Sequence, residues 1–250
     1  MNFTILRFDT LPSTNDEAAR QAGLGAAEGL CILAREQTAG RGRRGERRWH
    51  SPRDAGLYFS LVLRPKIHLK NWSLLTLAAS VAVHDAILSS CELKTDIKWA
   101  NDVLAAGKKI SGILAETIET ASGNAVVLGI GLNLKKEAVA PELVEIATSI
   151  ETQTGISPDG EKVFAAVTQN WQKYYEIWHQ KDGNQKVIEA WTARSSYANG
   201  KAVRVKLENT SFCGVTDGLE PDGGLRISIE NNSIKTVYAG DVVALRLQND

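Results

Sequence analysis

The chain has 250 residues, 43% of them apolar, and its 29 Lys and Arg balance its 29 Asp and Glu. That length suits one large domain, or one with a small companion, around a sizeable core, and zero formal charge argues against general binding to nucleic acid or a membrane surface. Cys31, Cys91 and Cys213 are few, odd in number and far apart, which speaks for a reducing compartment, and no C-x-x-C or H-x-x-x-H spacing points to a structural metal.

Residues 1–10 lack the basic start and long apolar core of a secretion signal, and alternation over residues 3–8 predicts an opening strand. Thr14 and Glu17 have the spacing of a capping box, which predicts a helix stopping near Gly23. Ser13 and Thr14 then read in two ways: as the helix cap, or as hydroxyls that face a ligand beside the free N–H groups of the helix start. Residues 30–35 and 56–63 are apolar strands, the second ended by Pro65. Residues 72–88 read as a largely buried helix with Leu74, Ala78 and Val81 on one face and Trp72 in the core. Its most apolar run, residues 74–83, is too short for a membrane span, so the chain is expected to be soluble and cytoplasmic.

Residues 96–104 and 109–115 predict two strands joined by a turn at Ala106-Gly107. Lys109 leads an apolar strand and is placed to point inward; Asn101 suits the edge of a heterocycle, and Asp102 suits Mg²⁺. The plainer alternative leaves Lys98, Lys108 and Lys109 as solvated strand-end charges. Residues 125–134 form a strand whose Gly129 and Gly131 mark a bulge or the close approach of a ligand, with Asn133 at its end. Helices are predicted over 141–147, 158–180 and 185–193. On the second, Val163, Val167, Trp171, Tyr174 and Trp178 make a core stripe, and Trp191 packs from the third. From Lys201 onward Val203, Val205 and Leu207, then Leu225, Ile227 and Ile229, then Val243, Leu245 and Leu247 alternate. Turn pairs Asp217-Gly218, Gly223-Gly224 and Asn231-Asn232 separate them. This is an all-β module of about fifty residues.

Between the second and third strands lies Gly40-Arg41-Gly42-Arg43-Arg44-Gly45-Glu46-Arg47-Arg48-Trp49-His50-Ser51-Pro52, five arginines and three glycines ahead of a tryptophan. Arginine forks grip phosphate and carboxylate oxygens in pairs, glycines let the backbone approach a ligand, and an indole covers a ring. The G-x-G-x-x-G spacing matches a dinucleotide fingerprint, but no helical period follows it. A kinase-type loop would need His-Arg-Asp and Asp-Phe-Gly downstream, and both are missing. A solvated basic loop or a nucleic-acid patch requires the arginines to act alone.

Seven motifs stand in order along the chain: Ser13-Thr14-Asn15, Glu36-Gln37, the Gly40 to Gly45 loop, Trp49-His50-Ser51-Pro52, Lys98-Trp99-Ala100-Asn101-Asp102, Lys109-Ile110-Ser111-Gly112-Ile113-Leu114 and Gly129-Ile130-Gly131-Leu132-Asn133. In that set and order they resemble the biotin protein ligase family. The arginine loop together with the Lys-Trp-x-Asn-Asp segment is highly specific, and the likeness spans essentially the whole chain. It implies an α+β fold: a mixed-sheet catalytic domain with helices packed against one face, related to class II aminoacyl-tRNA synthetases, over residues 1–197, then an SH3-like β-barrel over 198–250.

The activity implied is ATP-dependent formation of biotinyl-5'-AMP, followed by transfer of biotin to a lysine of a biotin carboxyl carrier protein of a biotin-dependent carboxylase. By resemblance Ser13, Thr14, Asn15, Gln37, Gly40, Arg41, Gly42, Arg43, Lys109, Gly112 and Gly129 line the biotin site. Arg43, Arg44, Trp49, Lys98, Asn101, Asp102, Lys109 and Asn133 surround the nucleotide, with Trp49 against the adenine, Lys109 and Arg43 catalytic, and Asp102 holding Mg²⁺.

Three features depart from the family pattern. The loop is one residue longer before Trp49, leaving Arg47 and Arg48 as alternatives for its last arginine, and Ala100 stands where proline is common. The Ser-Thr-Asn motif starts at residue 13, leaving no room for an amino-terminal helix-turn-helix, so no operator DNA is expected as a partner. A homodimer through the catalytic sheet is the family's frequent assembly. The rival readings are a lipoate or octanoate ligase, which needs a longer apolar tunnel without the arginine loop, and a nucleic-acid-binding regulator, which needs a broad basic surface.

Overall fold

A computed structural model describes residues 1–43, 48–230 and 233–245. Seven strands form a mixed sheet in the order β1-β2-β3-β7-β6-β5-β4. The first two, β1 (Thr4–Phe8) and β2 (Leu30–Ala34), are parallel and joined by helix α1 (Thr14–Gly23). Antiparallel partners then follow: β3 (Gly56–Leu63), β7 (Gly123–Asn133), β6 (Lys108–Thr120), β5 (Asp102–Ala105) and β4 (Asp96–Lys98). The single strand expected over 96–104 is a hairpin, β4 and β5, turning at Trp99-Ala100-Asn101. Ala106 and Gly107 make the expected turn, both with positive φ, as a two-residue hairpin loop requires.

The central strands are covered on both faces, so alternation sorts their residues between two cores. Leu57, Phe59, Leu61 and Leu63 of β3 join the large core, whereas Val62, with Ile32 and Val127, packs on Ala18 and Ala22 of α1. Helix α1 therefore lies on the face opposite the other long helices, which corrects the expectation of helices on one face only. Those others are α2 (Leu74–Cys91), α4 (Gly160–Trp178) and α5 (Gly183–Thr192). Helix α2 is buried nearly all round through its first three turns rather than along one stripe, because the sheet lies on one side of it and α4 and α5 on the other. The stretch Leu69–Cys91 is long and apolar enough to cross a bilayer by length and composition, longer than the sequence suggested; it sits in the core, 61% buried over its most apolar window.

Along α4 the predicted stripe faces inward, and Asp159 caps the helix by accepting from the N–H groups of Glu161 and Lys162. The Trp171 and Trp191 indole N–H groups are buried with no hydrogen-bond partner among the described residues, so both rings act through volume. Residues 141–147 hold a 3-10 turn, Pro141–Leu143, instead of a helix, and their chain pairs with Lys109. A short helix, α3 (Ile150–Thr154), follows, capped by Ser149.

Five further strands form an antiparallel sheet in the order β11-β10-β9-β8-β12, an SH3-like unit. They are β8 (Asn199–Lys206), β9 (Ser211–Leu219), β10 (Leu225–Ser228), β11 (Ile234–Val237) and β12 (Asp241–Ala244). Strand β9 leaves no apolar alternation in the sequence because most of its residues are exposed or half-buried; Asp217-Gly218, expected as a turn, lies inside it. In β12 the phase is also shifted: Val242 pairs with Val205 and is buried, while Val243 and Leu245 are exposed. A one-residue change of register turns every side chain to the other face. Asn231-Asn232 and Leu247 lie outside the described residues. The two sheets share one core, and the Trp99 indole donates to the Gly223 carbonyl at 3.0 Å across their junction.

Candidate active site

The site lies on the α1 face of the large sheet, where glycines keep two neighbouring strands bare. Gly112 of β6 pairs with Gly131 of β7, and Gly129 lies two residues away. A Cβ on Gly131 would come within 2.5 Å of the Trp49 indole, and one on Gly129 within 2.0 Å of Asn15 Oδ1. These positions stay bare because a side chain from elsewhere occupies the space a Cβ would take.

Helix α1 begins at the edge of this floor. Ser13, rather than Thr14, is its cap, accepting from Asp16 N at 3.4 Å, while Glu17 pairs with Arg20 within the helix instead of closing a capping box. Thr14 and Asn15 in the first turn are buried and face inward. Gln37 Oε1 accepts from Thr14 N at 2.8 Å and Thr14 Oγ1 at 3.0 Å; Gln37 Nε2 donates to Ser51 Oγ at 2.9 Å. Ser51 donates to the Trp49 carbonyl. Ser60 on β3, fully buried, donates to Asn15 Oδ1 at 2.6 Å and lies 2.8 Å from Thr14 Oγ1. Asn15 Nδ2 donates to Glu116 Oε2 at 2.6 Å. One network thus runs from β6 through α1 and β3 to the far end of the arginine loop. Ser60→Ala leaves the Asn15 amide oxygen without its donor and is expected to cost about 1–3 kcal/mol. The readout is a lower urea midpoint at unchanged m value.

The arginine loop leaves and returns as a short antiparallel stem. Trp49 N donates to the Gly40 carbonyl at 2.9 Å, and Arg41 bridges to Arg48. At Gly40 a Cβ would sit 2.5 Å from the Trp49 carbonyl oxygen, which the close-packed stem forbids. Arg41 is bound to Glu116 and Asp16, and Arg43 donates to the Gly240 carbonyl in the connection between β11 and β12. Arg44 and Arg47 lie outside the described residues.

Lys109 stands where β6 slips against β5: Val103 pairs with Ser111 and Leu104 with Lys109, leaving Ile110 as an extra residue. Such bulges re-aim a side chain. Its Nζ is 2.6 Å from Asp102 Oδ1 and 5.4 Å from the Trp49 ring centroid; Lys98 Nζ lies 3.4 Å from Asp102 Oδ2. Burial pushes the Asp102 carboxyl up, but Lys109 and Lys98 outweigh that and hold it below the usual carboxylate range.

Two adjoining cavities divide the candidate residues. Ser13, Thr14, Asn15, Gln37, Arg41, Gly42, Arg43, Gly112 and Gly129 line the first, with Asn101; Gly40 lines neither but a separate recess with Gln37, Trp49 and Ser51. Lys98, Asp102 and Asn133 line the second. Lys109 and Trp49 line both, so the ammonium and the indole stand at the passage between them. Asn101 and Asn133 also brace the walls, donating to the carbonyls of Ile113 and Thr148.

Ser60 and Glu116 were not singled out from sequence, and neither were Ile146, Ala147, Tyr197 and Val242 to Ala244 around the second cavity. For Ser60 the one local signal is a polar residue inside an apolar strand; the others carry none.

A profile described as the biotin/lipoate A/B protein ligase family matches residues 8–133, and one for the biotin protein ligase C terminal domain matches 199–244. The Bifunctional ligase/repressor BirA of Bacillus subtilis (strain 168) is 36% identical over 243 residues, covering 95% of this chain and 73% of that protein. The Biotin--[acetyl-CoA-carboxylase] ligase of Mycobacterium tuberculosis is 34% identical over 241 residues, 94% of this chain and 86% of its own. The solved structure of the biotin protein ligase from Aquifex aeolicus in complex with biotin and ATP has a TM-score of 0.84 at 28% identity, covering 98% of this chain and 99% of that one.

Proposed function

This chain belongs to the biotin/lipoate A/B protein ligase family, and from that premise we propose how its residues share the two half-reactions of biotin attachment. It is an ATP-dependent biotin protein ligase that activates biotin as biotinyl-5'-AMP and transfers biotin to protein.

In the first half-reaction a biotin carboxylate oxygen bonds to the α-phosphorus of ATP as the bond to pyrophosphate breaks. Two anions must meet. Lys109, lining both cavities, is the group that touches carboxylate and α-phosphate together, and this shared position is the observation that carries the reading. Ser13, Thr14, Gln37 and Asn15 offer hydroxyl and amide partners to the uncharged ureido ring, in a cavity that Phe59, Ile113 and Ile130 also line; such donors and acceptors have nothing to meet on an apolar lipoyl chain. Trp49, packed on Gly112 and Gly131, divides biotin from nucleotide. Arg43 and Arg44 attend the phosphates.

Asp102 does not fit a resident Mg²⁺. Its two oxygens already face two ammonium groups, and among the described residues no group of three His, Cys, Asp or Glu is placed to share an ion. Mg²⁺ is therefore read as cargo on the ATP phosphates, with Asp102 orienting Lys109.

In the second half-reaction a lysine amine of the acceptor attacks the carbonyl carbon, AMP leaves with the C–O electron pair, and the amine's proton passes to solvent. The acceptor is read as the biotin carboxyl carrier protein of a biotin-dependent carboxylase. A cytoplasmic setting is supported by three free cysteines.

ATP–pyrophosphate exchange measured with biotin and with lipoate side by side tests the assignment. Exchange is expected with biotin; equal or faster exchange with lipoate sinks it.

A further inference from the structure

Arg41 opens the arginine loop, but its charge is engaged within the protein. Nη1 donates to Glu116 Oε1 at 2.9 Å and Nη2 to Glu116 Oε2 at 2.7 Å, while Asp16 Oδ1 lies 2.9 Å from Nη2. Two carboxylates against one guanidinium leave no surplus positive charge for an anionic ligand. Glu116 also accepts from Asn15 Nδ2 at 2.6 Å, and Asn15 is held at its other end by Ser60. On β6 Glu116 lies two residues from Leu114 and four from Gly112, so its side chain shares their face of the sheet. One carboxylate therefore ties a ligand-bearing strand, the first turn of α1 and the start of the loop. The loop's other end hangs on the same network further along, through Ser60, Thr14, Gln37, Ser51 and the Trp49 carbonyl.

We propose that Glu116 is a positioning residue for biotin binding: by gripping Arg41 and Asn15 it fixes the start of the arginine loop and the first turn of α1 against the strand that carries Gly112 and Lys109. Arg41 acts through this grip. Neutralising the carboxylate and the α-phosphate falls to Lys109 and Arg43. The inference rests on the biotin ligase reading above and concerns the same site.

The test uses the full-length protein with Glu116→Gln, Glu116→Asp, Arg41→Ala and the Glu116→Gln/Arg41→Ala pair. Glu116→Gln keeps the shape and one acceptor oxygen but loses the charge. Four quantities are read: KM for biotin, kcat of pyrophosphate release at saturating biotin and ATP, the lifetime of enzyme-bound biotinyl-adenylate against hydrolysis, and thermal melting. Glu116→Gln and Arg41→Ala are each expected to raise the biotin KM about tenfold and shorten the adenylate lifetime about as much, leaving saturated kcat within about twofold. Glu116→Asp falls between them and the unaltered protein. The pair should be no worse than the worse single change, because both remove one contact.

A fall in saturated kcat for Arg41→Ala, as loss of a transition-state clamp would give, overturns the proposal. So do effects that multiply in the pair, or a Glu116→Gln protein that behaves like the unaltered one. Should Glu116→Gln fail to fold, the KM-against-kcat split of Arg41→Ala decides alone. Absence of biotin-dependent exchange in the unaltered protein would instead strike the ligase reading beneath it.

Discussion

Replacing Lys109 with alanine is expected to slow pyrophosphate release from biotin and ATP about 10²–10³-fold at saturating substrates. The ammonium stands at the passage between the two cavities, where a carboxylate and a phosphate must approach each other against their own charge. A preorganised cation there acts most strongly as the new P–O bond forms, so the loss falls on kcat more than on the KM of either substrate.

The same change alters the protein's response to acid. Asp102 is held below its ordinary value chiefly by Lys109, then by Lys98, against burial. A carboxyl held low contributes its full stability above the unfolded pKa, about 3.9, and loses it as pH falls through the lower folded value. Without Lys109 the folded value rises, and acid unfolding begins at a higher pH. The Lys109→Ala/Asp102→Asn pair removes the carboxyl that Lys98 alone then holds, so its acid limb should return while its rate stays low. A Lys109→Ala enzyme within about threefold of the normal rate would remove Lys109 from the chemistry.

The second large effect is expected at Gly129. Alanine there would place a methyl 2.0 Å from Asn15 Oδ1 and 2.9 Å from its Cγ. Asn15 cannot swing aside, being buried and held by Ser60 at one end of its amide and by Glu116 at the other. Overpacking of this kind costs about 1–3 kcal/mol, or roughly 2–12 °C in Tm for a chain of this size. Biotin binding should weaken at least about tenfold with it, because the displaced amide belongs to the pocket wall. Gly131→Ala makes the contrast: its methyl meets the Trp49 indole, whose ring nitrogen has no hydrogen-bond partner among the described residues, instead of an amide held at both ends, so binding should suffer with a smaller change in Tm. Calorimetric biotin titrations and melting curves of both variants check this. A Gly129→Ala protein that binds and melts normally would show that Asn15 is less firmly held than its partners indicate.

Much of the fold was readable because burial leaves periodic traces. The stripe on α4, the apolar run of β3 and the hairpin turn at Ala106-Gly107 stand where periodicity and turn chemistry put them. The readings that missed depended on partners. Residues 141–147 have proline and helix-formers in helical order, yet their backbone pairs with Lys109. The phase of β12 follows from its register against β8, and the hairpin of β4 and β5 from pairing on either side of Trp99. In the site, Ser13 and Gln37 sit in motifs that local chemistry singles out, whereas Glu116 looks like an ordinary strand charge until Arg41 and Asn15 are found on it.

By itself the sequence determined which chemistries were present: arginines and glycines in a loop between strands, a lysine beside an aspartate on a hairpin, amides and hydroxyls at a helix start. Those are local properties, written in residue type and spacing. Tertiary structure alone decided what each group faces. Asn15 and Glu116 are 101 residues apart and meet only because α1 crosses the face that β6 presents. A contact made across so many residues leaves no trace in local composition, which is why Arg41 reads along the chain as a cation awaiting an anion and in the folded protein as one already engaged.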